Sequence, residues 1–409
     1  MITRTKTSSL ALIFAMIVLQ NCSAEKLITS SVEMQKENNL STLSSSNYDL
    51  SEENGRKKIE EKINEKTQKK ADYLENLIEN VNSSRSFKQL AQYNPEWQLF
   101  TLSFTAYAFT NLAYIDSTYH TKSIKVIDKS IENALNRKNN LSRSLNQKTG
   151  EINKNASVIY LGHLNMMLGA YKLLSNDNKY IELNKSITMY LSNEIQKSKF
   201  KNIESYPNHI WPADNIPALA SIKLYDMSNN TEYSKVTKEW VNWIKTNFLD
   251  KETGLMNSQI DPKTGKSLDG PRGCSISWIM LFGHIFDKNF AEEQYVQFKK
   301  HHYDNFLGLG IGVFKERKGE WQTSSGDIDS GPLIMGYGVS ATAFGLGAAR
   351  IMGDSKVYNQ IHNTINLTKS QFKEIEDKNG LHYELFSPLS DAAMLFTDTM
   401  TNWDTRYLK

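Results

Sequence analysis

Cysteine is nearly missing: the 409-residue chain has two, Cys22 and Cys274. That excludes a disulfide framework and any zinc site built on a cysteine cluster. Proline is scarce as well, with eight in all, too few for a proline-rich linker. Charge of one sign does not accumulate either. The net charge is +3 and Lys and Arg are spread along the chain, so no nucleic-acid partner is expected. No H-E-x-x-H, no P-loop and no Rossmann fingerprint is present, and no G-x-S-x-G elbow. No metal and no cofactor are therefore expected. What remains is acid–base chemistry by carboxylates, His, Tyr or a thiol.

What is present begins with an export signal. Arg4 and Lys6 precede "LALIFAMIVL", an apolar core too short for a membrane span. "VLQNCSAEK" then permits two cleavages. Cut before Cys22, residues 1–22 read as a lipoprotein signal with Cys22 as the lipidated residue. Cut after Ala24, they read as an ordinary secretory signal. The lipoprotein reading is preferred, because a Cys directly after the apolar core is improbable in so Cys-poor a chain. It places the protein in the cell envelope, held to a membrane by a lipid anchor. Residues 23–51 are rich in Ser, Asn and Glu and read as a disordered tether. Residues 52–92 form a charged stalk helix leading into the folded domain, which spans 93–409.

Two kinds of helix alternate in that domain. "WQLFTLSFTAYAFTNLAYI", "ASVIYLGHLNMMLGAYKLL", "IPALASIKLYDM", "CSISWIMLFGHIF" and "PLIMGYGVSATAFGLGAARIM" are apolar nearly all round, which marks a helix buried on every side. The segments between them, such as "HTKSIKVIDKSIENAL", are amphipathic and cover a core. The joints repeat as well. "NQKTGEI", "DKETGLM" and "EDKNGLH" each place a Gly where a left-handed turn residue is wanted. The last segment, "PLSDAAMLFTDTMTNW", supplies a sixth inner helix if the stalk helix is its partner. The pattern predicts an all-α fold, an (α/α)6 toroid of inner and outer helices. A small β-hairpin is expected at "GVFKERKGEWQ", turning around Lys318–Gly319. An open solenoid is the structural rival. Gly331–Ala349 carries no charge and nearly reaches membrane-spanning length, but as one of a matching series it reads as an inner-ring helix.

In a toroid the inner helices all start at one end, so their first residues line a funnel. "SYPNHIWPADNIPALASI" crowds Tyr206, His209, Trp211, Asp214 and Asn215 at one such mouth. The helix starts at Pro212 or Pro217. "WQTSSGDIDSGPLIMG" brings Asp327 and Asp329 to a second mouth, with a helix start at Gly331–Pro332. "LDGPRGCSISW" brings Asp269, Arg272 and Cys274 to a third. His163 falls two turns into another inner helix, and Glu384 and Asp391 flank the last mouth. Asp214, Asp329, Cys274 and His163 are the candidate catalytic groups. Tyr206, His209, Trp211, Asn215, Arg272 and Asp327 are the candidate substrate-binding groups. Each has a plainer reading as a cap, a core residue or an inert thiol. His301 and His302, on an amphipathic outer helix, read as surface.

"YPNHIWPADNIPALASI", "DIDSGPLIMGYGVSATAFGLGAARIMGD" and "DGPRGCSISW" together resemble the linalool dehydratase/isomerase type of domain, over roughly Tyr93 to the C-terminus. The resemblance implies an (α/α)6 barrel and metal-free acid–base removal or migration of a hydroxyl on a small isoprenoid alcohol. It also implies a site of Cys, Asp, His and Tyr side chains. Here Cys274 is the one thiol beyond the anchor, so a mechanism using two thiols is not supported. The same toroid suits glycan-active enzymes, since paired carboxyls act on glycosidic bonds and rim aromatics stack on sugar faces. A third class is a non-catalytic surface binding protein. The expected partner is thus a small molecule or a glycan.

Overall fold

The protein is described here from a computed structural model, in which residues 63–408 are placed apart from 137–143, 147–148, 155, 320–325, 332, 370–374, 377–381 and 384–386. Cys22, the tether and Glu384 lie outside the described residues.

Two helices come first: α1 (Glu65–Glu79) and α2 (Arg85–Tyr93). Inner and outer helices then alternate. The inner ones are α3 (Glu96–Ile115), α5 (Val158–Leu174), α7 (Pro212–Asn229), α9 (Gly273–Trp278), α11 (Val339–Ile351) and α13 (Pro388–Asp398). The outer ones are α4 (His120–Leu135), α6 (Ile181–Lys197), α8 (Lys235–Asn247), α10 (Lys288–His302) and α12 (Ser355–Lys369). Each inner helix packs on the next, and α13 returns to pack on α3, so the inner ring closes. The fold is an (α/α)6 barrel, and closure rules out the open solenoid.

Sequence explains the division. α5 is buried along its whole length except Lys172, as a helix without a polar face must be. α4 instead buries one stripe, including Val126, Ile127, Ile131 and Ala134. The inner helices also approach closely. A Cβ on Gly162 of α5 would sit 2.9 Å from the backbone nitrogen of Ala218 on α7, so that contact requires glycine. α1 takes the outer place beside α13. It buries Ala71, Leu74, Leu77 and Ile78, and Lys70 Nζ lies 3.9 Å from the buried Asp391 carboxylate of α13. Of the two roles open to this helix, solvated stalk or sixth outer partner, the packing is that of the partner.

The two ends of the barrel differ. Inner helices pass to outer ones through short turns, such as the one closed by Gly353 at φ 72°. Outer helices return through the long segments 136–157, 198–211, 248–272, 303–338 and 370–387; the third carries the paired strands β1 (Gln259–Ile260) and β2 (Ser267–Asp269). Long connections at one end are where binding and catalysis are usually placed on a rigid scaffold. The repeated Gly signals fall here. Gly150 at φ 73° and Gly254 at φ 69° turn the chain between the bridged pairs Leu145–Ile152 and Leu249–Met256. The third signal lies outside the described residues, between the paired strands β7 (Ile375–Glu376) and β8 (His382–Tyr383).

A hairpin is present with strands β3 (Tyr303–Asn305) and β4 (Gly312–Phe314), while the second arm of the one expected around Lys318–Gly319 falls on residues 320–322, outside the described residues. Two sequence expectations need correction. The helix expected at Gly331–Pro332 starts later, at Val339, after a two-stranded turn of β5 (Leu333–Ile334) and β6 (Tyr337–Gly338). Left-handed backbone at Gly331 (φ 66°), Met335 (φ 56°) and Gly336 (φ 84°) breaks the helix there. His302 is fully buried, with Nδ1 2.9 Å from the Lys315 carbonyl. Among the described residues no helix is long and apolar enough to cross a membrane.

Candidate functional site

Helix α7 starts at Pro212, with Pro217 inside it. Pro fits the first helical position because its missing N–H would be unpaired there anyway. That puts Asp214 in the first turn, half-buried. Burial is the main reason its carboxyl is pushed up to about 8; Ser205 opposes the rise, and the Glu96 and Asp329 charges add to it. A helix N-terminus favours the ionised form by about 0.3–1 kcal/mol, whereas each pKa unit is worth about 1.4 kcal/mol. Burial therefore outweighs the dipole, and Asp214 keeps its proton at neutral pH.

Glu96 stands in the matching place on α3, directly after Pro95. It is buried, and its carboxyl is raised by burial and by Asp329, against a hydrogen bond from Tyr206. The Tyr206 hydroxyl donates to Glu96 Oε1, and Tyr206 itself is 42% exposed at the rim. The Trp211 ring is edge-on to Tyr206 at 5.8 Å and stacked on His209 at 5.3 Å. His209 Nδ1 is 3.3 Å from Gln259 Nε2. Asp329 is solvent-exposed in the turn 327–330. Packing raises its carboxyl first and Asp327 second, while Arg272 opposes. Thus Glu96, Asp214, Asp329 and Tyr206 come within electrostatic reach of one another.

A second cluster adjoins the first. Glu316 is almost fully buried (3% exposed). It accepts from Arg272 Nε at 2.8 Å, from the Cys274 backbone N–H at 3.0 Å and from Cys274 Sγ at 3.0 Å. Arg272 Nη2 also reaches Asp327 at 2.6 Å, and Arg317 makes a two-pronged pair with Asp269 at 2.7 and 2.8 Å. The Arg272 guanidinium thus bridges two carboxylates, Glu316 through Nε and Asp327 through Nη2. Asp327 in turn accepts from the Asp329 and Ser330 backbone N–H groups at 3.1 and 2.9 Å. The Asn215 amide pairs with both backbone groups of Ile203 at 2.8 and 3.0 Å.

Below the rim the bore is aromatic. Phe100 lies one turn below Glu96 on α3, and Trp278 one turn below Cys274 on α9. Their rings meet at 5.8 Å. Phe104 lies deeper, against Trp278, Phe344 and Phe396. His163 sits among these rings, 5.1 Å from Phe100 and 5.5 Å from Trp278. It is fully buried, Nδ1 is 3.0 Å from the Tyr107 hydroxyl, and Nε2 has no partner among the described residues. Burial holds His163 down to about 3, so it is a neutral imidazole. It stands beneath the acid cluster, one layer removed from the rim. A π-helical turn, Ile279–Gly283, follows Trp278 directly; such turns recur at functional sites.

Sequence reading missed two carboxyls. Glu96 carried a signal, since "NPEW" repeats the Pro-then-acid start of "WPAD". Glu316 carried a fainter one: in the alternation after Val313 it falls on the same side as Phe314.

The linalool dehydratase/isomerase family matches residues 178–387, just over half of the chain. The match takes in "YPNHIWPADN", "DGPRGCSISW" and "DIDSGPLIMG". Among solved structures, the unsaturated glucuronyl hydrolase of Bacillus sp. GL1 is similar, with 12% identity and a TM-score of 0.50, over 80% of this chain and 93% of that one. An α-1,6-mannanase of Salegentibacter sp. HEL1_6 shows 12% identity and a TM-score of 0.49, over 81% of this chain and 98% of that one.

Proposed function

The chain belongs to the linalool dehydratase/isomerase family, and from that premise we propose that its funnel removes or moves a hydroxyl on a small, hydroxylated, isoprenoid-like substrate. The observation that carries this reading is that Asp214 and Glu96, both in first turns of inner helices, lie within electrostatic reach of one another at the end of the barrel where Phe100 and Trp278 meet. Asp214, pushed up to about 8, is the acid. It gives its proton to the substrate hydroxyl, the C–O bond breaks and water leaves. Glu96, held by the Tyr206 hydroxyl as an acceptor, is the base. It takes a proton from the adjoining carbon, whose electron pair forms the double bond. Asp329 lies within electrostatic reach of both. The rings of Phe100, Trp278 and Phe344 favour positive charge developing above them. Return of water at the other end of an allylic cation gives migration in place of loss.

The test is incubation of the full-length protein with small allylic and tertiary alcohols, followed by mass spectrometry of volatile products. Alkene formation that drops by about a hundredfold in Glu96→Gln is expected. Turnover of no alcohol would sink the reading. A second reading has its own observation: the stacked His209–Trp211 pair at the rim offers a flat face for a sugar ring. There the same two carboxyls would serve a glycoside hydrolase, lyase or epimerase. Cleavage of a neutral oligosaccharide with no action on alcohols would favour it. Binding without turnover would point to a surface binding protein.

The proposal extends to location. A basic start, an apolar core and Cys22 directly after it motivate a lipid anchor in the cell envelope. Palmitate fed to cells should label the wild-type protein and leave Cys22→Ala unlabelled. Equal labelling would show the anchor is elsewhere.

A further inference from the structure

The one thiol of the funnel wall is built into a charge network, and that network has a consequence for its chemistry. The Cys274 S–H points at the Glu316 carboxylate, 3.0 Å away, and the Cys274 backbone N–H points at the other oxygen of the same carboxylate. Glu316 is itself tied down. Its carbonyl accepts from Gly273 N–H at 2.8 Å, and its own N–H donates to the Gly336 carbonyl at 3.1 Å. Gly273 is required for that approach, because a Cβ there would lie 2.5 Å from the Lys315 carbonyl oxygen. The start of α9 and the segment after β4 are therefore locked together, with the thiol and the carboxylate face to face.

We propose that Glu316 is a positioning residue that holds Cys274 as a neutral thiol, so that the funnel does its proton transfer with carboxyls and never with a thiolate. The chemistry is simple. A thiolate 3.0 Å from a buried carboxylate would place two anions side by side in an environment of low dielectric, where their repulsion is poorly screened. It would also lose the S–H bond to Glu316. The charged groups facing the thiol are Glu316 and Arg272, and the guanidinium is engaged with Glu316 and, beyond it, Asp327. Burial and the Glu316 charge both push the thiol well above its ordinary range, and Arg272 offsets only part of this. A silent thiol fits a site whose acid is Asp214. The inference rests on the funnel reading for its catalytic meaning, but not for its test.

The test reads the thiol directly, whether or not any substrate is turned over. The full chain carrying Cys22→Ser has one cysteine, so an isotope-labelled cysteine β-carbon gives one NMR signal whose shift reports the thiolate. The wild-type side chain should show no titration through about pH 9, above the ordinary thiol value of about 8.5. In Glu316→Gln the midpoint should fall by about one pH unit or more, and the rate of alkylation at fixed pH should rise about tenfold. A wild-type midpoint at the ordinary value would overturn the proposal. So would a folded Glu316→Gln whose thiol is unmoved. If Glu316→Gln does not fold, Arg272→Met takes its place. Loss of the guanidinium should then slow alkylation further, and an unchanged or faster rate would overturn the proposal.

Discussion

Replacing Asp214 with Asn will cut turnover about a hundredfold or more and, above pH 8, will make the protein more stable. The first effect follows from the proposed role. An Asn has the shape of the acid but no proton to give, and a positioned general acid contributes roughly that factor. The second follows from linkage. The folded carboxyl is pushed up to about 8, while an unfolded Asp titrates near 3.9. Between those values the folded state holds a proton that the unfolded state has released. Stability therefore falls as pH rises from about 4 to about 8. Asn removes that dependence. The half-buried side chain keeps some water, so the gain at pH 9 is about 1–3 kcal/mol rather than the full shift. Thermal unfolding of both proteins at pH 4, 7 and 9 measures it. A difference that is the same at all three pH values would mean the Asp214 carboxyl is not perturbed. A stability loss with unchanged turnover would make it a helix-terminus group and nothing more.

Phe104→Ala should have the largest effect on the fold of any change near the site. The ring is 1% exposed. It stacks on Phe396 at 5.7 Å and meets Tyr107, His163, Trp278 and Phe344 at ring distances of 5.8 to 6.4 Å. Its removal hollows the centre of the ring of helices, where neighbours from α5, α9, α11 and α13 cannot all collapse inward. Loss of a buried Phe costs about 3–5 kcal/mol. Phe104→Leu keeps much of the volume and should cost less than about 1.5 kcal/mol. Denaturant unfolding compares the two. A loss under about 1 kcal/mol for the Ala variant would mean the bore has room to relax. The hollow should also loosen His163, whose Tyr107 partner sits on the same helix as Phe104.

How far the sequence foretold this depends on what kind of signal each residue leaves. The ring of alternating helices was legible because burial on all sides removes every polar face, and periodicity records that directly. Asp214 was legible because Pro212 marks a helix start two residues before it. Glu96 follows the same rule and was passed over, since a single Glu in a first turn is so often a plain dipole partner. Glu316 was hidden in "KERK", where charge suggests solvent, and only the alternation with Phe314 points inward. His302 was misread for a related reason: amphipathic helix α10 buries a stripe that ends with it, and "KKHH" looks uniformly polar. The late start of α11 was hidden because "PLIMGYG" is apolar and uncharged. Nothing in a Met announces the left-handed backbone of Met335. Arg272, Asp327 and Asn215 were placed at one end of the barrel, but the protein groups they bond to were not foreseen. Their donors and acceptors are met by one another and by the backbone, and pairing across the fold is not written in local sequence.

The ring is closed without a covalent link, where α13 packs on α3 and Asn111 of α3 donates to the Phe396 carbonyl at 3.2 Å. A stack of hairpins left open would have two end units, each with one neighbour, and such ends fray and need polar caps. A circle has no end unit. Every hairpin is braced on both sides, and taking one out exposes two raw apolar faces instead of one. The cost of a local opening is then similar wherever it is attempted, which favours loss of the whole ring at once over peeling from an edge. It also means that the funnel walls are held from both directions, so carboxyls contributed by α3, α7 and the turn before α11 keep their spacing without any one of them being the keystone.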